Sequence, residues 1–86
     1  MWLLKKVPDM NKVPWVGEGP GTLYAETGGK NWKGELVVGT YPAEYALFVK
    51  TGETPDGDWE FKPIDEGRTF TLEYLARRVV FEIEGI

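Results

Sequence analysis

Glycine and proline occur so often in this chain that they leave little room for long helices. The 86 residues include 11 glycines and 6 prolines, and the longest segment free of both runs from Arg68 to Glu84. The other segments are shorter than a typical globular helix of about ten to fourteen residues. They are rich in Val, Ile, Tyr, Phe, Trp and Thr, which favour strands. Short apolar runs between closely spaced turn clusters predict an all-β fold.

We therefore predict one domain over residues 1–86, folded as a small antiparallel barrel or compact sandwich of six to eight short strands. This all-β fold leaves room for one short helix, and an α+β fold is the alternative. Turn clusters at Gly28-Gly29, Pro55–Gly57 and Asp65–Gly67 supply the positive φ angles and fixed turns that hairpins use. Each cluster is expected to join two antiparallel neighbours.

Alternation of apolar and polar residues places the individual strands. Residues 13–16 contain Pro14 and predict an edge segment or a loop. The predicted strands are 2–7, 22–27, 32–38, 45–50, 59–62, 70–74 and 79–84.

Two segments also fit a helix. Pro42 and Glu44 suit a first helical turn, but residues 45–49 have no polar stripe, which favours a strand. Residues 72–79 carry apolar side chains at helical spacing. Alternation on both sides of residues 72–79 nevertheless favours a strand, a turn and a second strand.

Composition excludes most catalytic chemistry. The chain has no Cys, His or Ser, so it lacks a disulfide, a thiolate or imidazole metal site and a catalytic triad. Carboxylates remain, but so small a chain rarely forms a cleft deep enough to exclude water around a substrate. The acidic loop 53–60 is interpreted as a solvated turn. We expect no enzyme activity, no cofactor and no metal site.

The formal net charge is −4, but residues 1–16 carry +2, so the remainder carries −6. An acidic body disfavours adsorption to nucleic acid or anionic lipid. No apolar run approaches the roughly 20 residues of a membrane span, so no membrane association is expected. We expect a cytoplasmic protein, or a virion-associated one if the chain is viral. Scarce Asn and Met with no Gln or Cys resemble a thermophile's usage, although a skewed small genome or a designed sequence gives the same pattern.

These exclusions favour a non-catalytic protein–protein interaction module that binds a protein partner or itself. It would be a subunit of an assembly or a small accessory or inhibitory protein. The four tryptophans suggest, in third place, a carbohydrate-binding module, although Trp32 and Trp59 are expected to be core residues.

The second-ranked function is a small barrel that binds single-stranded nucleic acid. Aromatic rings interleaved with lysines are typical of such surfaces. The candidate residues are Trp2, Lys5, Lys6, Lys12 and Trp15, with Arg77 and Arg78 as a second basic point near a hairpin turn.

Overall fold

An antiparallel sheet forms most of the structure. A computed structural model describes residues 13–85. Strands β1 to β5 form a meander in which each strand pairs with the next, and β6 pairs with β4. The elements are β1 Val16–Gly17, β2 Thr22–Thr27, β3 Lys30–Val37, β4 Glu44–Glu53, β5 Trp59–Ile64, β6 Phe70–Thr71 and α1 Leu72–Glu84. The prediction of a mostly antiparallel fold with six to eight strands and one short helix is confirmed.

The segment around residues 42–50 is a strand, as predicted, because β4 extends over Glu44–Glu53. It lies between β3 and β5 in the sheet, which explains why it is apolar on both faces. Residues 13–16 lie at the sheet edge, as expected, and end in the two-residue strand β1. The predicted strand 2–7 lies outside the described residues.

The strands predicted at 70–74 and 79–84 are wrong. Only Phe70–Thr71 is extended, and Leu72–Glu84 forms the helix α1. Helical spacing prevails because it gathers the buried side chains onto one face of α1. Those side chains are Leu75, Ala76, Val79 and Val80.

Two of the three turn predictions are confirmed. Gly28 and Gly29 have φ angles of 63° and 76° and connect the paired strands β2 and β3. Pro55–Gly57 lies between the paired strands β4 and β5. The prediction for Asp65–Gly67 is wrong, because β5 and β6 both pair with β4 and not with each other.

The helix packs on one face of the sheet. Leu23, Gly34 and Leu47 form one cross-strand row of this face. Trp32 lies in the next row and is fully buried, as predicted, with its indole N–H donating to the carbonyl oxygen of Thr27 at 3.0 Å. The layer facing the sheet is therefore α1 and not the second sheet of a sandwich. In the described part of the chain, no helix has the length and apolar character that crossing a membrane requires.

Candidate functional site

The sheet face turned away from α1 carries a group of aromatic and lysine side chains. Tyr24, Lys33 and Phe48 are cross-strand partners in one row, and Lys50 pairs with Phe61 in β5. Side chains alternate along a strand, so this row points away from the neighbouring row that contains Trp32. We call this surface the aromatic–lysine face. It consists of Tyr24, Lys33, Phe48, Lys50, Trp59 and Phe61.

The two lysines of this face are held against its rings. The ammonium nitrogen of Lys33 lies 4.5 Å from the ring centroid of Phe61 and 3.5 Å from a carboxylate oxygen of Glu35. The ammonium nitrogen of Lys50 lies 3.8 Å from the Trp59 ring centroid and 2.9 Å from Glu53. Only 19% and 18% of these lysine side chains are exposed. Each cation is thus matched by a ring and a carboxylate of the same chain.

The rings of Tyr24, Trp59 and Phe61 border an open groove of about 910 Å³. The ring centroid of Phe61 lies 6.2 Å from those of Tyr24 and Trp59. Trp59 is 46% exposed, and Val16 at the edge of the groove is 63% exposed. The groove therefore offers apolar surface to a ligand. Its lining also includes the carboxylates of Glu18, Glu26 and Asp58.

A second concave surface lies where the turn after β5 and the strand β6 meet α1. It encloses about 470 Å³. The guanidinium carbon of Arg68 lies 5.7 Å from the Phe70 ring centroid, and that of Arg77 lies 5.5 Å from the Tyr74 ring centroid. We call this surface the arginine cleft. Its lining includes three arginines, three aromatic rings and two carboxylates: Arg68, Arg77, Arg78, Phe70, Tyr74, Phe81, Glu44 and Asp65.

Arg78 has a structural role at this cleft. Its guanidinium donates to Asp65 at 2.8 Å and to Glu82 at 2.7 Å, which ties the turn after β5 to α1. The hydrogen bond from Arg78 holds the pKa of Asp65 below its ordinary value. The same bond raises the pKa of Arg78 above its usual range. Nearby, the hydroxyl of Thr69 donates to the carboxylate of Glu44.

The candidate nucleic-acid residues do not form one surface in the described part of the chain. Trp15 is half-buried and packs against the core, so it is not an open ring platform. Arg77 and Arg78 lie on α1, and their expected place near a hairpin turn is wrong. Four of the candidates lie outside the described residues: Trp2, Lys5, Lys6 and Lys12.

The expectation that Trp59 is a core residue is also wrong, because nearly half of its surface is exposed. Its neighbours on the aromatic–lysine face were not among the sequence candidates. The sequence does contain one signal for two of these residues, Tyr24 and Lys33. The two-glycine turn fixes the hairpin register, and that register places Tyr24 opposite Lys33 on the face that does not carry Ala25.

Comparison with protein-family models, curated proteins and solved structures finds no match for this chain. Within residues 13–85, no three carboxylates are grouped so that they could hold a metal ion. Function is therefore inferred from the two concave surfaces themselves.

Proposed function

We propose that this chain is a non-catalytic protein-binding module that binds its partner through the aromatic–lysine face. One observation carries the proposal: aromatic rings occupy the sheet face that α1 does not cover, and Trp59 is 46% exposed there. An antiparallel sheet with a solvated face usually presents polar side chains on it. Exposed aromatic side chains bordering a groove are instead typical of the anchor positions of protein interfaces.

Charge favours a basic partner segment. Glu18, Glu26 and Asp58 line the groove beside the rings, and the protein as a whole carries a net charge of −4. A partner segment with an apolar anchor for the groove and Lys or Arg beside it would match both features. Charge complementarity of this kind raises the association rate and rejects acidic partners.

The same geometry weighs against single-stranded nucleic acid. Lys33 and Lys50 are the cations of this face, and each already contacts a carboxylate. The Lys50 ammonium lies 3.8 Å from the Trp59 ring centroid and covers one side of the ring, which leaves only the other side for a stacked base or sugar ring. We therefore rank nucleic acid and carbohydrate below a protein partner.

The test compares two substitutions of exposed aromatic residues. Trp59→Ala removes the proposed anchor, whereas Tyr41→Ala removes an aromatic side chain that is 98% exposed and lies beyond the opposite end of β4. Partners captured from the source cells are identified and purified, and their affinity for each variant is then measured by titration. An interface anchor typically contributes about 2 kcal/mol or more, so Trp59→Ala should weaken binding at least about 30-fold. Tyr41→Ala should leave the affinity unchanged.

Equal affinity of the two variants would contradict the proposed surface. Fluorescence anisotropy with single-stranded DNA at physiological salt addresses the second-ranked function, and we expect no measurable binding. Tight binding that falls steeply with salt would favour nucleic acid instead, because it would report phosphate contacts. Sedimentation equilibrium at micromolar concentration distinguishes a second copy of the chain from a different partner.

A further inference from the structure

We propose that the arginine cleft binds an oxyanion, a carboxylate or a phosphate, carried on an apolar group. This site is separate from the aromatic–lysine face, since it lies at the helix-covered side of the sheet. It comprises the turn after β5, β6 and the outer side of α1. The inference therefore does not depend on the proposed protein partner.

The first support is that Arg68 and Arg77 form no ion pair within residues 13–85. Arg78, by contrast, is held by Asp65 and Glu82. Arginine side chains usually find carboxylates easily on a protein with an excess of acidic residues, and this one has 14 Asp and Glu against 10 Lys and Arg. The cleft lining carries three guanidinium groups, of Arg68, Arg77 and Arg78, and two carboxylates, of Glu44 and Asp65. Asp65 is paired with Arg78 and Glu44 accepts a hydrogen bond from Thr69. Among the described residues the lining therefore keeps a net charge of +1 (three minus two) on an otherwise acidic protein.

The second support is the position of two guanidinium groups over aromatic rings. Arg68 lies over the ring of Phe70 and Arg77 over the ring of Tyr74, at 5.7 and 5.5 Å from the ring centroids. Cation–π contacts of this kind restrict the side chain, and the ring takes no conventional hydrogen bond from the five N–H donors. A planar edge with parallel N–H groups matches a carboxylate or a phosphate in a bidentate manner.

The third support is the lining between the arginines. Phe70 and Phe81 line the cleft, and its volume of about 470 Å³ lies within the range of small-ligand sites. An oxyanion with a ring or a branched alkyl group would fill this space better than a bare ion. The N-terminal end of α1, whose N-cap residue Thr71 lines the cleft, adds positive potential from the peptide dipoles, and Glu73 in the first turn offsets part of it.

The test is a titration followed by NMR of the full chain, with phenyl phosphate and phenylacetate as probes. Benzyl alcohol supplies the ring without the charge, and inorganic phosphate supplies the charge without the ring. We expect saturable shifts of the Arg68 and Arg77 side-chain Nε–H signals with phenyl phosphate, phenylacetate or both. The ratio of the two affinities identifies the preferred oxyanion. Both control compounds should bind at least about tenfold more weakly.

Two variants and a charge-matched control assign the site. Arg68→Gln and Arg77→Gln should each weaken probe binding about tenfold or more, because each removes a charge-assisted hydrogen-bonding group. Arg68→Lys keeps the charge but loses the planar edge, so it should weaken binding to a smaller extent. Lys30→Gln removes the same charge from the exposed first residue of β3, outside the cleft lining, and should leave the affinity unchanged.

Three outcomes would overturn the proposal. The first is the absence of saturable shifts with both charged probes at millimolar concentration. The second is equal weakening by Lys30→Gln, which would indicate a response to overall charge. The third is equally tight binding of benzyl alcohol, which would indicate an apolar pocket without anion recognition. Dispersed amide signals in each variant confirm that it is folded.

Discussion

Replacing Gly34 with alanine should destabilise the fold, because α1 lies directly on this residue of β3. A Cβ atom built on Gly34 would lie 2.9 Å from the Cδ2 methyl of Leu75 and 3.8 Å from the Cβ of Leu23. Cβ atoms in proteins essentially never approach another heavy atom within 3.0 Å. Leu75 is fully buried, so its methyl group has no open space to enter. The Leu75 side chain, α1 or β3 has to shift, and the burial of Leu75 makes a movement of its side chain alone costly.

The expected magnitude follows from two opposing effects. Alanine is favoured over glycine in a strand by about 0.5–1 kcal/mol, because glycine loses more backbone freedom on folding. An added carbon in a close-packed core costs about 1–3 kcal/mol. The difference of the two ranges is a fall of about 0–2.5 kcal/mol in the free energy of unfolding, with a midpoint of about 1.3 kcal/mol. For a domain of this size, each kcal/mol lowers Tm by roughly 4–8 °C.

Thermal and urea unfolding, followed by circular dichroism, measure this change. Gly52→Ala is the matched control, because Gly52 lies in β4 and the nearest atom to its added Cβ is the Glu60 carboxylate oxygen at 3.8 Å. Gly52→Ala should be neutral or slightly stabilising. In a background that carries Leu75→Ala, the added carbon fits the vacated space, and Gly34→Ala should cost much less. Equal stability of the two glycine variants, or an unchanged cost of Gly34→Ala in the Leu75→Ala background, would refute the helix position.

Two further predictions concern the hairpin and the ion pair that holds the turn after β5. Gly28→Ala and Gly29→Ala both place a side chain at positive φ, but only at Gly28 would the new Cβ meet Ile83, at 2.5 Å from Cγ1. Gly28→Ala should therefore lower Tm more than Gly29→Ala, and the reverse order would contradict the contact between hairpin and helix. The hydrogen bond from Arg78 lowers the pKa of Asp65 from its ordinary value of 3.8. The ionised carboxylate therefore stabilises the fold fully at pH values above 3.8, and this contribution is lost as the pH falls through the lowered pKa. Asp65→Asn should be less stable than the natural chain at neutral pH, and the difference should shrink as pH falls below 3.8; a difference that does not change with pH would contradict this linkage.

The central hairpins are predictable from local pattern, whereas the helix depends on a distant contact. Alternation and the two-glycine turn place β2 and β3 without any knowledge of the rest of the chain. Residues 70–84 satisfy both a strand and a helix pattern. What decides between them is the sheet face around Gly34, which receives Leu75 of α1. The space above Gly34, where a side chain is absent from β3, cannot be recognised from the local sequence of the helix.

The aromatic–lysine face and the arginine cleft also differ in how far local sequence predicts them. The pairing of Tyr24 with Lys33 follows from the hairpin register alone. The contact of Lys33 with Phe61 requires β4 to lie between β3 and β5, which is a property of the whole sheet. The arginine cleft is harder to predict, because β6 brings Arg68 beside α1 only by pairing with β4.

Site-specific photocrosslinking in the source cells tests most directly whether the aromatic–lysine face binds a protein. The photoreactive residue p-benzoylphenylalanine replaces Trp59 in one variant and Tyr41 in the other. About nine residues of β4 separate the two ends of the strand, a distance of roughly 30 Å, so the probes sample different regions. We predict one crosslinked product of defined mass from position 59, with a Lys- or Arg-rich partner peptide, and none from position 41. The same products from both positions, or a product from position 41 alone, would contradict the assignment of this face.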